Sequence, residues 1–99
     1  MHYGISGSQS ITNQTDVAVG TSGKPTRVFS LSVTSGGTAG VAILRNGTSA
    51  SGTAFYQMDG TISKCVTQNF EGGMLFPAGC FADVDANCAS VTVCYASEL

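Results

Sequence analysis

Turn-forming residues interrupt this sequence so often that no long helix fits between them. From the middle of the chain onward, Gly36-Gly37, Asn46-Gly47, Asp59-Gly60, Gly72-Gly73, Pro77-Ala78-Gly79 and Asp85-Ala86-Asn87 follow one another at short intervals. Gly supplies positive φ, Asn and Asp bond their own turns and Pro presets φ, so each cluster reads as a reversal of the chain. The gaps hold strands of ordinary length but not helices of about 12 residues.

The gap segments carry a matching pattern. In 25–34, Phe29, Leu31 and Val33 fall on one face and Ser30 and Ser32 on the other, the period of two of a half-buried strand. Val41-Ala42-Ile43-Leu44 is a short unbroken apolar run, the pattern of a strand covered on both faces. Further strands are expected at 54–58, 62–70, 74–76, 80–85 and 90–96, with a weaker one at 16–20. Phe81, Val84, Cys88, Val91 and Tyr95 also fit helical spacing. Val91-Thr92-Val93 is β-branched, however, and Asp85-Ala86-Asn87 supplies a turn, so 80–96 reads as a hairpin. In that hairpin Val84 opposes Val91 and Ala82 opposes Val93 on the core face, while Phe81 and Cys94 meet on the other. Leu31, Val33, Ile43, Val84, Val91 and Val93 are expected inside.

The result is an all-β fold: a single antiparallel β-sandwich of seven or eight short strands, with jelly-roll or immunoglobulin-like connectivity. There is no Trp and no Cys–Trp–Cys spacing, which weakens the case for a true immunoglobulin domain. Residues 1–15 are rich in Ser, Gly, Asn and Gln, with Tyr3, Ile5 and Ile11 as isolated apolar side chains. They read as an N-terminal arm, leaving 16–99 as the sandwich domain. At 99 residues there is room for one domain.

Charge narrows the partners. Only 10% of residues are charged, against roughly 25% in an average soluble chain, while 12 Ser, 11 Thr and 13 Gly supply polarity without charge. A net charge of −2 offers no basic field for a phosphate backbone, so nucleic acid is not expected as a partner. So neutral a surface is expected to be covered by neighbours, since little like-charge repulsion keeps copies apart. The sequence opens without a basic leader or apolar core of a secretory signal, and no run approaches the 18 or so apolar residues of a membrane span, so a chain made and kept on the cytoplasmic side is expected. Cys65, Cys80, Cys88 and Cys94 lack CxxC spacing, which disfavours zinc. Reduced structural thiols are expected rather than two disulfides.

No catalytic constellation emerges. His2 is the lone histidine and sits in the arm, so neither a Ser–His nor a Cys–His pair is available to the core. Asp83 and Asp85 share a face two residues apart, but nothing places them across a cleft as acid–base hydrolysis requires. Asp83-Val84-Asp85-Ala86-Asn87 copies the opening of an EF-hand loop and then departs from it: Cys88 stands where Gly is needed, and Cys94 where the bidentate Glu would be. Neither a phosphate-binding glycine loop nor a cofactor motif is present, and no small-molecule substrate is expected. Asn13-Gln14-Thr15 and Asn46-Gly47-Thr48 match the glycosylation sequon, without consequence for a chain that is not secreted.

The segment Gly37–Thr53, containing Gly40-Val41-Ala42-Ile43-Leu44-Arg45-Asn46-Gly47-Thr48, together with Asp59-Gly60-Thr61 and Leu75-Phe76-Pro77-Ala78-Gly79-Cys80-Phe81-Ala82-Asp83-Val84-Asp85, resembles small β-rich virion structural proteins of tailed bacteriophages, those of marine phages in particular. The resemblance covers about 24–95. It implies a non-enzymatic decoration or cement protein that binds and stabilises the capsid shell, with itself, as a homotrimer, and the major capsid protein as partners. The location implied is the capsid surface of the virion, after synthesis in the host cytoplasm. The interface candidates are Tyr3, Ile5 and Ile11 of the arm, and Tyr56. Two other readings stay open: a carbohydrate- or receptor-binding module of a phage fibre, using Phe55, Tyr56 or Tyr95 as ring platforms, and a disulfide-stapled secreted binding domain.

Overall fold

The computed structural model describes residues 3–12 and 16–98 and, among them, contains strands and turns but no helix. Eight strands form: β1 (Tyr3–Thr12), β2 (Val17–Val19), β3 (Thr26–Ser35), β4 (Val41–Asn46), β5 (Thr53–Asp59), β6 (Cys65–Phe76), β7 (Cys80–Val84) and β8 (Cys88–Glu98). They divide into two antiparallel four-stranded sheets, sheet A in the order β1-β8-β3-β6 and sheet B in the order β2-β7-β4-β5. The first strand pairs with the last, the second with the seventh, the third with the sixth and the fourth with the fifth. Two further ladders, β3 with β8 and β4 with β7, join these pairs into sheets. A hairpin doubled on itself in this way is the eight-stranded jelly roll, which decides between the two connectivities that the sequence allows.

The alternation is legible in burial. Val28, Leu31 and Val33 of β3, Val91 and Val93 of β8 and Phe76 of β6 meet Val19, Ala42, Leu44, Cys80, Ala82 and Val84 of sheet B, with Met58 of β5 at the side. Leu31, Val33, Val84, Val91 and Val93 are thus inside, as their spacing predicts. Three expectations need correction. Ile43 is half-buried on the outer face of sheet B, because β4 alternates with Ala42 and Leu44 inward and only one of its faces is covered within this chain. Phe29 is 41% exposed: a bulge between Val28 and Ser30 inserts it as an extra residue, and Val28 takes the core position instead. The segment 80–96 turns at Asp85-Ala86-Asn87, yet its strands enter opposite sheets, so Val84 and Val91 face each other across the core rather than along a hairpin.

The segments expected at 62–70 and 74–76 are one strand, β6, carrying an excursion opposite the β3 bulge: Val28 pairs with Met74 and Ser30 with Asn69. Gly72 and Gly73 turn that excursion with φ of 76° and 84°, values a side chain would oppose. Within the segment expected to be an arm, Tyr3–Thr12 runs as β1 along β8 from Tyr3 opposite Glu98 to Thr12 opposite Ser90.

Candidate interaction surfaces

The two outer faces differ in chemistry. On sheet A, Thr34 pairs with Cys65 and Ser90, Ser32 with Thr67 and Thr92, and Ser30 with Asn69 and Cys94. Because Leu31, Val33, Val91 and Val93 point inward, these residues form an uncharged grid of hydroxyl, amide and thiol groups on the outside. Ser32 Oγ and Thr67 Oγ1 are hydrogen-bonded at 2.9 Å across two strands of it. At its end Phe29 lies over the backbone of Gly73, and Arg27 Nη1 donates to the Gly72 and Gly73 carbonyls at 3.4 Å.

The outer face of sheet B mixes apolar side chains with charge: Gln57 and Asp59 of β5 lie opposite Ile43 and Val41, and an ion pair sits at the centre. Val41, Ile43 and Phe81 are half-buried around Arg45, whose Nε donates to Asp83 Oδ2 at 3.0 Å and whose Nη1 donates to the Gly52 carbonyl at 3.1 Å. The side chains of the pair retain 21% and 27% of their exposure, so the bond orients Arg45 more than it stabilises the fold.

The flanks are set by aromatic contacts. Tyr56 of β5 meets Phe70 of β6 edge to face at 4.9 Å between centroids, and Phe55 meets Phe76 at 5.3 Å. One flank of the sandwich is therefore the β5–β6 side, and strand order puts β1 and β2 on the other. Tyr56, expected at an interface, is half-buried against the core, and Tyr95 also packs on it. Of the three rings considered for a sugar platform, Phe55 alone is exposed, at 41%. The side chains of Tyr3, Ile5 and Ile11, and all of His2, lie outside the described residues.

The carboxylates Asp83 and Asp85, singled out by the sequence, and Asp16 beside them are all engaged within the fold. Asp85 Oδ1 accepts from the Asn87 backbone N–H at 2.9 Å, and Asp16 Oδ1 from that of Val84 at 2.9 Å. Asp83 is engaged by Arg45, so the EF-hand-like stretch is a strand end and an Asx turn. No group of three or more His, Cys, Asp or Glu converges among the described residues. An open depression of about 300 Å³ beside this turn is lined by Gly36-Gly37-Thr38 and Ala86-Asn87-Cys88-Ala89, without a charged side chain.

The four cysteines form no disulfide. Cys65 and Cys94 sit on the same outer face, but their β3 partners Thr34 and Ser30 are four residues apart, about 13 Å along a strand and well beyond disulfide reach. Burial pushes the Cys80 thiol up to about 12. Burial, reinforced by the Asp85 carboxylate, pushes Cys88 to about 11. Both are protonated and inert at neutral pH. Cys65 is exposed, at the start of β6. A stapled secreted domain finds no internal staple here.

No protein-family model and no curated protein matches the chain. A solved structure from Bacillus endospore appendages, which form a novel family of disulfide-linked pili, is similar at a TM-score of 0.54, with 12% sequence identity over 94% of this chain and 84% of that one. At that identity the likeness is one of fold.

Proposed function

We propose that this chain is a non-enzymatic structural protein that works by self-association, and that it serves as a decoration or cement protein on the capsid of a tailed phage. The observation that carries the structural reading is how many of the acidic and thiol groups are engaged or buried: Asp16 and Asp85 accept from backbone N–H groups, Asp83 pairs with Arg45, and Cys80 and Cys88 are buried and protonated, while Cys65 remains exposed. What the surface offers instead is area: an uncharged hydroxyl face on sheet A, and a face on sheet B where apolar side chains surround an ion pair. The fold likeness to a pilus-forming protein supports assembly into repeating structures. The phage capsid, the major capsid protein as partner and the homotrimer rest on the sequence resemblance.

In such a role many weak contacts, repeated over a shell, resist outward pressure by mass action. The test is binding of the purified protein to undecorated phage shells at low and high salt. Binding that survives 0.5 M salt is expected, because screening weakens charge pairs and leaves apolar and hydroxyl contacts largely intact. No binding at either salt concentration would remove the capsid assignment.

A further inference from the structure

Both sheets contain an even number of strands, and every neighbouring pair is antiparallel, so the two edge strands of each sheet run in opposite directions. The consequence is geometric. If a second copy is placed beside the first without turning it over, β6 of one copy lies antiparallel to β1 of the next, and β5 stands in the same relation to β2. A sheet with an odd number of antiparallel strands would bring parallel edges together under the same operation.

From this juxtaposition we infer that copies of the chain join flank to flank, the β6 edge of one copy pairing its main chain with β1 of the next, so that sheet A continues across the contact. The inference rests on the self-association proposed above and adds the surface that carries it. The first support is the character of the edges. The uninterrupted parts of the two edges, Ile5–Thr12 of β1 and Cys65–Asn69 of β6, contain no Lys, Arg or Pro. Natural edge strands are usually shielded by such residues or kept short. The one charge, Glu71, lies in the excursion at 70–73, leaving Cys65–Asn69 as an uninterrupted uncharged stretch against β3. A second, separate support is where large apolar side chains remain exposed. Of the three found among the described side chains, Phe55 at 41% and Ile62 at 56% belong to β5 and to the turn between β5 and β6, on the flank that this pairing covers. The contact is heterologous: it closes into a ring when each copy is rotated and runs on as a filament when it is not.

The test compares the full-length chain with Gln68→Lys and Thr67→Lys, both at exposed positions of the β6 edge, and with Ala86→Lys in the exposed turn before β8 as a charge-matched control. Association is measured by sedimentation equilibrium in reducing buffer, and folding by circular dichroism. Both edge variants are expected to keep the β spectrum and to associate about tenfold or more weakly, while Ala86→Lys associates like the parent. In the parent, backbone amides of 65–69 and of β1 should gain hydrogen-exchange protection on assembly. Edge variants that associate as well as the parent, or a control that weakens association equally, would overturn the edge pairing and leave self-association standing. A parent that stays monomeric to millimolar concentration would overturn both. If Thr67→Lys fails to fold because it loses the Ser32 bond, Gln68→Lys, which removes a bond to the adjacent Asn69 carbonyl, carries the test.

Discussion

Leu44 and Ile43 are adjacent in one apolar run yet face opposite ways, and replacing each in turn measures that difference. Leu44 has no exposed surface in the core. Leu44→Ala removes three carbons, at about 0.8 kcal/mol each, and leaves a cavity that close-packed neighbours fill only in part. The sum is about 3 kcal/mol, inside the range of roughly 2–5 kcal/mol for such truncations. For a domain of this size, that lowers the melting temperature by on the order of 15 °C. Ile43 pairs with Gln57 and Asp83 on the outer, half-exposed face of sheet B. Ile43→Thr keeps the β-branch that suits a strand and gives up only partial burial, about 0.5–1 kcal/mol, or a few degrees. Thermal unfolding followed by circular dichroism, in dilute reduced protein, separates the two. Equal losses, or a larger loss at Ile43, would mean that β4 sits one residue out of the register described, since such a slip exchanges every inward and outward side chain.

Three further outcomes follow from particular contacts. Burial raises the Cys80 and Cys88 thiols to about 12 and about 11 in the fold, against 9.0 for an unperturbed thiol; both folded and unfolded chains are protonated below pH 9, and above it the unfolded chain loses protons first, so denaturant titrations should show stability falling as pH rises above 9, and a stability flat from pH 8 to 10.5 would contradict the burial. Gly40→Ala should destabilise strongly, because the added Cβ would lie 2.6 Å from Cys88 Sγ and 2.9 Å from its backbone nitrogen; a variant with unchanged melting temperature would show that the crossing of this loop over β8 is looser than described. Arg45→Met should cost no more than about 1 kcal/mol, as expected of a partly exposed ion pair, and the parent's stability should change little between low and high salt; a loss of several kcal/mol would identify Arg45 as a structural keystone of sheet B.

The strands were legible where turn chemistry bounded them, and the inward faces of β7 and β8 followed from alternation alone: Ala82, Val84, Val91 and Val93 are all buried. Connectivity was not, because the pairing of β1 with β8 joins residues about 90 positions apart and leaves no local trace. Phe29 misled for a specific reason. A strict period of two assigns it to the core with Leu31 and Val33, and one inserted residue at the bulge reverses the assignment for everything before it. The apolar alternation of β1 is too sparse to announce it, since Gly7 and Gln9 separate Ile5 from Ile11. Half of its sequence is Ser and Gly, and what makes it a strand is the hydrogen-bonding edge that β8 presents to it. Among the candidate surfaces, the charge-poor exterior was readable from composition, whereas its division into a hydroxyl face and a mixed apolar and charged face depends on the fold.

That division bears on why a chain so poor in charge need not aggregate without limit. Unpatterned neutral surfaces adhere in many orientations, but here the apolar side chains on the outside of sheet B surround a fixed Arg45–Asp83 pair. A partner that covers this face must satisfy or leave undisturbed that pair, since stripping water from one member alone would cost several kcal/mol. The hydroxyl face of sheet A imposes a weaker demand, because Ser and Thr can donate or accept and lose little when they exchange water for another polar surface. In the proposed flank-to-flank contact, orientation would be set by the direction of the edge strands, while the ion pair would restrict what can cover the outer face of sheet B. If the chain self-associates through its edges as proposed, assembly should depend on concentration and edge sequence far more than on ionic strength.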